Sequence, residues 1–401
     1  MKTAINDAGY WTTKALKLWR TSAGLRVGSG GQHSFVFVLI AGLLVAAGCN
    51  PSGDVRVQGS GVVPALGFAC CDQGIEQAQR LFAQPGVLEQ LRALHATVAI
   101  PTADFSQQRA ALVRQLGARG IPVVAWIVLS ADDGYYLNAA NVAQAAARLA
   151  DFEQWTRANG LRWAAVGLDI EPNFGELARL SRQPWRLAAV LARRSAGIGS
   201  IRRARQDYAD LIRRVQGWGY PVQIYEMPYV PAERAADSTL ADRLLGTPQL
   251  RGDQNYTMLY TSFARPAGAG VIRLLGQRAW GIAIGSTSGP GTAGVGMGPL
   301  DWEEFSDDLL VASHFTRHIG IYNLEGCVHQ GFLPRLVTLD WGRTVVIPAA
   351  AMRRAKLHIS LFRSAMWVGS NLLWLIAAFM ILCWLLWRVR RRRKLPRAGG
   401  A

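Results

Sequence analysis

Between residues 65 and 325 the chain repeats one unit eight times: a short apolar run, then a stretch of helical periodicity, then the next run. The runs are residues 65–71, 96–102, 122–130, 163–172, 220–229, 256–262, 280–286 and 318–325. Short runs of this kind, rich in β-branched and aromatic residues, read as buried strands. Between them, Leu112 and Leu116, and then Val142, Ala145, Leu149 and Phe152, recur at helical spacing. The stretch 301–310 carries its acids in the first turn, as a helix N-terminus prefers. Eight β-α units over about 270 residues predict a (β/α)8 TIM barrel, an α/β fold. A doubly wound open sheet is the alternative, but it expects a Gly-rich nucleotide loop after an early strand. The early runs have none. Gly289-Pro-Gly-Thr-Ala-Gly294 has the form of such a loop, yet it follows the seventh run and no apolar helix opens from it, so it reads as a flexible loop.

The two ends of the chain ask for a different solvent. Residues 366–387 hold no charge over 22 positions, which predicts a transmembrane helix, with Trp367 and Trp387 at its ends. Arg388, Arg390 to Arg393, Lys394 and Arg397 follow directly. The net charge of +17 thus has a membrane-topology reading, and no nucleic-acid partner is expected. At the other end a basic leader precedes the apolar run 35–47 and then Gly48-Cys49, the pattern of an export signal or signal anchor. Small residues before Cys49 resemble the lipobox of bacterial lipoproteins. The expected organisation is a signal or anchor over 1–49, a linker over 50–63, the barrel over 64–335, a coda and juxtamembrane stretch over 336–365, the transmembrane helix over 366–387 and a basic cytoplasmic tail over 388–401. Both basic flanks place the barrel on the periplasmic or extracytoplasmic side of the cell membrane. The five cysteines lack metal-ligand spacing, and His314 and His318 have no His-Glu-x-x-His context, so neither a metal nor a cofactor is expected.

In such barrels chemistry gathers at the carboxyl ends of the strands. The fourth run ends in Asp169 and Glu171, two apart and therefore on one strand face. Like charges held that close push at least one pKa upward, as a general acid near neutral pH requires. A helix-capping carboxylate or a structural ion pair is the competing reading. Other run ends add Asp132, Asp133, Tyr135 and Tyr136, then Glu226 and Tyr229, then Asn323 and Glu325, with Trp126 inside the third run. Carboxylates among aromatics suit a cleft for sugars, whose apolar ring faces stack on aromatic side chains. Glu226 is a candidate second carboxylate facing Glu171. Barrel closure makes the first and eighth strands neighbours, so Cys327 is expected to pair with Cys70 or Cys71 in an exported domain.

Gly167-Leu-Asp-Ile-Glu171 resembles the end of the Asp-x-x-Asp-x-Asp-x-Glu signature of glycoside hydrolase family 18, the chitinases and their relatives. Ala164 and Gly167 stand where that signature has its first two acids. Asp253-Gln-Asn-Tyr-Thr-Met-Leu-Tyr260 is similar to the family's Asp-x-x-x-x-Met-x-Tyr, with Thr261 where Asp usually follows. Leu324 stands where the family has a tryptophan. The resemblance implies a substrate-assisted mechanism, in which the substrate's own 2-acetamido oxygen attacks the anomeric carbon. Glu171 would be the general acid and base, Asp169 would orient the acetamido group, and Tyr260 would bond its carbonyl. Three functions follow as expectations. The first is a membrane-tethered hydrolase of N-acetylhexosamine glycans. The second is a glycosidase using Glu171 with Glu226 on sugars lacking the acetamido group. The third is a non-catalytic glycan-binding barrel of the cell envelope.

Overall fold

The computed structural model describes residues 53–72, 74–288 and 298–393. The expected signal with Cys49, the loop 289–294 and the end of the basic tail lie outside the described residues. Ten strands are described: β1 (Val55–Gln58), β2 (Ala65–Ala69), β3 (Thr97–Pro101), β4 (Val123–Ile127), β5 (Ala165–Ile170), β6 (Val222–Glu226), β7 (Gln254–Met258), β8 (Gly281–Gly285), β9 (His318–Tyr322) and β10 (Thr344–Ile347). Strands β2 to β9 pair in parallel, each with the next, and close into a barrel. Closure runs from Ala65 opposite His318 to Ala69 opposite Tyr322. Each expected run overlaps one barrel strand; seven contain theirs, and the sixth begins two residues late, at Tyr256 where β7 starts at Gln254.

Alternation along the strands divides the interior into two apolar regions. Outward residues such as Leu66, Phe68, Ile100, Leu168 and Ile224 join the helices in the main core. Inward residues form a second cluster around Ala99, Val124, Trp126 and Ala165, packed against Tyr135, Tyr136 and Tyr322. The barrel interior fits large side chains against absent ones. Tyr225 stacks on Tyr256 with ring centres 5.3 Å apart. Gly281 leaves the space that Tyr256 fills: a Cβ there would lie 2.5 Å from its ring. Below the rings, the Tyr225 hydroxyl donates to Gln223 Oε1 at 2.9 Å, and Gln223 Nε2 donates to Gln254 Oε1 at 2.9 Å.

The ends of the chain depart from expectation. Residues 50–63 are no simple linker, because Val55 to Gln58 pair antiparallel with Ile347 to Thr344. Val57, Val345 and Ile347 are buried while Arg56 and Val346 face out, the alternation of a one-sided ribbon. Ser60 N donates to Ser313 Oγ at 3.1 Å, and His314 Nδ1 lies 3.0 Å from the Gln58 carbonyl, which tie the ribbon to the helix Trp302–Ser313 and its end. Four residues are too few for their periodicity to announce a strand.

The stretch 366–387 is likewise not one helix. Its first five residues complete the helix Ala349–Ser370, which packs on the barrel helices Val230–Ala235 and Ala269–Leu275. Gly369 permits a further close approach, to the helix Leu240–Leu245, since a Cβ there would lie 2.3 Å from the Leu240 side chain. Ser370 Oγ and Ser238 Oγ are 2.6 Å apart. The helix ends at Asn371, whose side-chain amide donates to the Trp367 carbonyl at 2.8 Å. A second helix, Leu372–Arg393, then leaves at a steep angle. Among the described residues no single helix is long and apolar enough to cross a membrane; one bent pair, inclined by 70°, has the length and composition together. Counting uncharged residues misses the break, because glycine, serine and asparagine are neutral yet poor helix formers.

Candidate active site

The site is built on the end of β5. There Leu137, on the loop after β4, returns to pair beside Ile170. Its N–H donates to the Asp169 carbonyl at 3.1 Å, and its carbonyl accepts from Glu171 N at 3.1 Å. The backbone on both sides of Ile170 is thereby clamped, and Asp169 and Glu171 project to one face. Next, Pro172 ends the strand, and Asn173 caps the helix Phe174–Ser181 by accepting from Glu176 N at 2.9 Å. Asn173 performs the capping, so the two carboxylates are not needed for it.

The same returning loop carries two tyrosines to the mouth. Tyr135 has a φ of 61°, uncommon for a residue with a side chain. It is held there by hydrogen bonds on both backbone atoms, from Leu129 N to its carbonyl at 2.8 Å and from its N–H to the Ser130 carbonyl at 3.0 Å. Gly134 just before it, at φ 97°, lets the turn form. The rings of Tyr135 and Tyr136 meet edge to face at 5.0 Å.

Asp169 and Glu171 are 6% and 8% exposed and hydrogen-bond each other. Burial pushes the Asp169 carboxyl up to about 8, with help from the charge of Asp72. Burial and then Asp169 push Glu171 well above the usual carboxylate range. The pair therefore keeps a proton at neutral pH. The Trp126 indole sits close enough to Asp169 to pull its pKa down somewhat, although neither Trp126 Nε1 nor Asp169 Oδ1 completes a hydrogen bond. Tyr260 stands in the field of both carboxyls, and burial first, then that field, hold its hydroxyl protonated. Its ring stacks on Tyr322 at 5.7 Å. Asp169, Glu171, Tyr260, Trp126 and Tyr135 thus share the barrel mouth.

Asp72, just beyond β2, belongs to the same place and escaped the sequence reading. It accepts from the Tyr322 hydroxyl at 2.7 Å, and burial raises its pKa to about 6. Glu325, in the first turn of the short helix Leu324–His329 that follows β9, accepts from Cys71 N, and is pushed by burial and by Asp72 to about 7. The signal was available in the topology: β2 and β9 are partners, so any acid after β2 meets the residues after β9.

Several expected residues lie elsewhere. Glu226 is register-matched to Ile170 and Thr257, the outward face, whereas Asp169 is matched to Tyr225. Its carboxylate accepts from Arg234 at 3.0 Å and Thr257 Oγ1 at 3.1 Å, so it cannot face Glu171 across the barrel. Tyr229 is the exception, since it stays in the field of Glu171, but its hydroxyl is bonded to Thr247 Oγ1, 2.7 Å away. Asp132 is exposed in a turn, where Asp133 accepts from Ser130 Oγ at 2.7 Å. Asn323 is a helix cap, accepting from Gly326 N at 3.0 Å and Ser288 Oγ at 2.6 Å. Asp253 lies before β7, at the far end of the barrel, and accepts from Val222 N at 2.7 Å. Leu324 is wholly buried. The cysteine expectation fails as well: Cys70 and Cys71 are bonded to each other, and Cys327 is a free buried thiol donating to Thr287 Oγ1 at 3.7 Å. Its short helix turns the thiol toward the end of β8 and not toward β2. Among the described residues, no three His, Cys, Asp or Glu side chains are placed to hold a metal ion.

Fold and site together define a (β/α)8 barrel with a buried carboxyl pair under a tyrosine-lined mouth. No protein-family model matches the chain, nor does any curated protein. Among solved structures it is similar to the PgaB (BpsB) glycoside hydrolase domain from Bordetella bronchiseptica, at 12% identity over 69% of this chain and 98% of that one, with a TM-score of 0.40. It is similar to a GH18 chitinase from Pseudoalteromonas aurantia, at 10% identity over 68% and 99%, with a TM-score of 0.39. A D-allulose 3-epimerase from Methylomonas sp. gives 14% identity over 66% and 86%, with a TM-score of 0.38. Overlaps of this size leave the chemistry to this chain's own residues.

Proposed function

We propose that the barrel is a glycoside hydrolase acting on glycans that contain N-acetylhexosamine, by the substrate-assisted route. The observation that carries this is the hydrogen-bonded, buried pair Asp169–Glu171 facing Tyr260 at the mouth. Glu171 holds a proton at neutral pH and is the general acid for the leaving glycosidic oxygen; the same carboxylate then takes a proton from water. Asp169 Oδ1 is a buried acceptor without a protein partner, the place for the acetamido N–H. Once Glu171 has given its proton to the leaving oxygen, its own carboxylate stabilises the positive cyclic intermediate beside Asp169, which orients the acetamido group. Tyr260 donates to the acetamido carbonyl, and its stack with Tyr322 offers an aromatic surface for the sugar in place of the missing tryptophan.

A thiazoline analogue of the cyclic intermediate tests the route. Intermediates of this kind are bound far more tightly than substrates. The analogue is expected to bind at least about a hundredfold more tightly than the parent N-acetyl sugar. Equal affinities would exclude substrate assistance. A glycan-binding barrel without turnover is the second reading. One feature supports it: Gly167 gives its space to the Tyr225 ring, 3.2 Å from where a Cβ would stand, so no second acid supports Asp169 from below.

The proposal includes a tether. The helix Leu372–Arg393 exposes Trp374 at 78% and Met380 at 64%, with Phe379 and Ile381 beside them, and ends in arginines. An apolar surface of that extent calls for a covering. We place residues 372–387 in the bilayer with the arginines at its cytoplasmic face, leaving the barrel outside. At about 1.5 Å per residue that stretch spans roughly 24 Å, and arginine side chains can reach the interface across the shortfall.

A further inference from the structure

We infer that the helices Phe174–Ser181 and Pro184–Ser195 form a docking surface for anionic phospholipid headgroups, a second contact with the membrane that rests on the tether proposed above.

The two helices follow directly on β5, the first of them three residues after Glu171. From Leu177 to Gln206 the chain holds eight arginines and no acid. A surface that faces only water ordinarily mixes its charges. Arg194 is paired with Glu176 at 2.7 Å, and Arg205 with Asp242. The other six are exposed. The outer face of the helix Pro184–Ser195 is unusual in a second way. Trp185, 68% exposed, is followed at helical spacing by exposed Ala189, Ala192 and Ala196, with Arg186 and Arg193 alongside. The Arg186 guanidinium lies 4.9 Å from the centre of the Trp185 ring. A solvated face would carry polar side chains there. Tryptophan and arginine around small apolar residues suit the boundary between headgroups and acyl chains.

Charge and an exposed ring would also suit a soluble polyanion, so position decides. Arg194 donates to the Leu244 carbonyl at 3.3 Å, on the helix Leu240–Leu245. That helix packs on Pro184–Ser195 and also on Ala349–Ser370. Two residues after Ser370 the apolar helix begins, at Leu372. Neighbouring helices lie about 10 Å apart, so two such steps put the arginines within roughly 20 Å of the start of the tether. The bilayer that the tether enters is thus the anionic surface brought to them. Docking there holds the barrel mouth beside the headgroups, since the same helices grow from the end of β5.

The test places the full chain in lipid nanodiscs of phosphatidylcholine, alone or mixed with phosphatidylglycerol, and follows amide hydrogen exchange. Exchange over 174–196 is expected to slow about tenfold in the anionic discs. The slowing should disappear in about 0.5 M salt and in the combined variant Arg179→Gln, Arg186→Gln, Arg193→Gln. These side chains are exposed, so the variant is expected to keep the melting temperature of the wild type. Equal exchange in both discs, or slowing that survives the three substitutions, overturns the docking surface and leaves the tether standing. Slowing by dextran sulfate in phosphatidylcholine discs, with none from phosphatidylglycerol, assigns the patch to a soluble polyanion and overturns the bilayer as occupant. If the chain does not enter the discs, the tether falls, and pelleting with phosphatidylglycerol vesicles decides the surface. Pelleting lost in the triple variant upholds it; no pelleting of the wild type overturns it.

Discussion

Asp169 shows what the local spacing could and could not reveal. Two acids at i and i+2 on a strand announced a shared face and a raised pKa, and both are found. The spacing did not show which further groups join them, because Asp72 reaches the pair from β2 through space. The pKa of Asp169, about 8 in the folded chain, has a consequence for stability. A folded-state value above the unfolded one means that the folded chain holds the extra proton between about pH 4 and pH 8. Its contribution to stability is complete below about pH 4 and is lost as the pH rises through about 8. Asp72, at about 6, and Glu325, at about 7, act in the same direction. Asp169→Asn is therefore expected to raise stability at pH 8 by about 1–3 kcal/mol while slowing turnover. Thermal melts at pH 5 and pH 8 check it: the variant's advantage should be much smaller at the lower pH, and an advantage equal at both would contradict the assignment.

At the scale of elements, the eight strands were legible and their facing was only partly so. Apolar runs bounded by turns locate strands, and parity then decides which residues face in. Applied at β5, parity found the pair. At β6 the same rule puts Tyr225 inside and Glu226 outside, once the register with Asp169 is known. Register is a property of pairing between strands, which a single run does not contain. The packing of tyrosine against glycine is a relation of the same kind, since neither β7 nor β8 alone shows it. Gly281→Val is expected to destabilise by about 1–3 kcal/mol, because the added methyls would overlap the Tyr256 ring. In a Tyr256→Leu background the cost should shrink, and chemical denaturation of the four chains measures that coupling. Equal costs in both backgrounds would mean that Gly281 is needed for another reason.

The whole molecule joins a closed barrel to two ends with separate tasks. Ribbon β1–β10 brings the start of the described chain to residues just ahead of the last barrel-packed helix. That helix was hidden in the sequence by a neutral stretch which serves two purposes, packing up to Ser370 and apolar exposure from Leu372 onward. Truncation after Asn371 is expected to release the barrel from alkali-washed membranes with its melting temperature unchanged, as long as the leader has been cleaved and bears no lipid. A truncated chain that stays with the membrane would place the tether at the amino end.

The central claim is that Glu171 is the acid and base of a hydrolase for N-acetylated glycans, and that Glu226 is a structural acid. Initial rates on N-acetylglucosamine oligomers at pH 6 test it most directly, for the wild type, Glu171→Gln and Glu226→Gln. The wild type is expected to cleave these oligomers. Glu171→Gln should lose a factor of about 10²–10⁴ with its melting temperature kept or raised. Glu226→Gln should keep its rate and lose stability with its Arg234 and Thr257 bonds. Equal rates for wild type and Glu171→Gln, or a loss confined to Glu226→Gln, would contradict it.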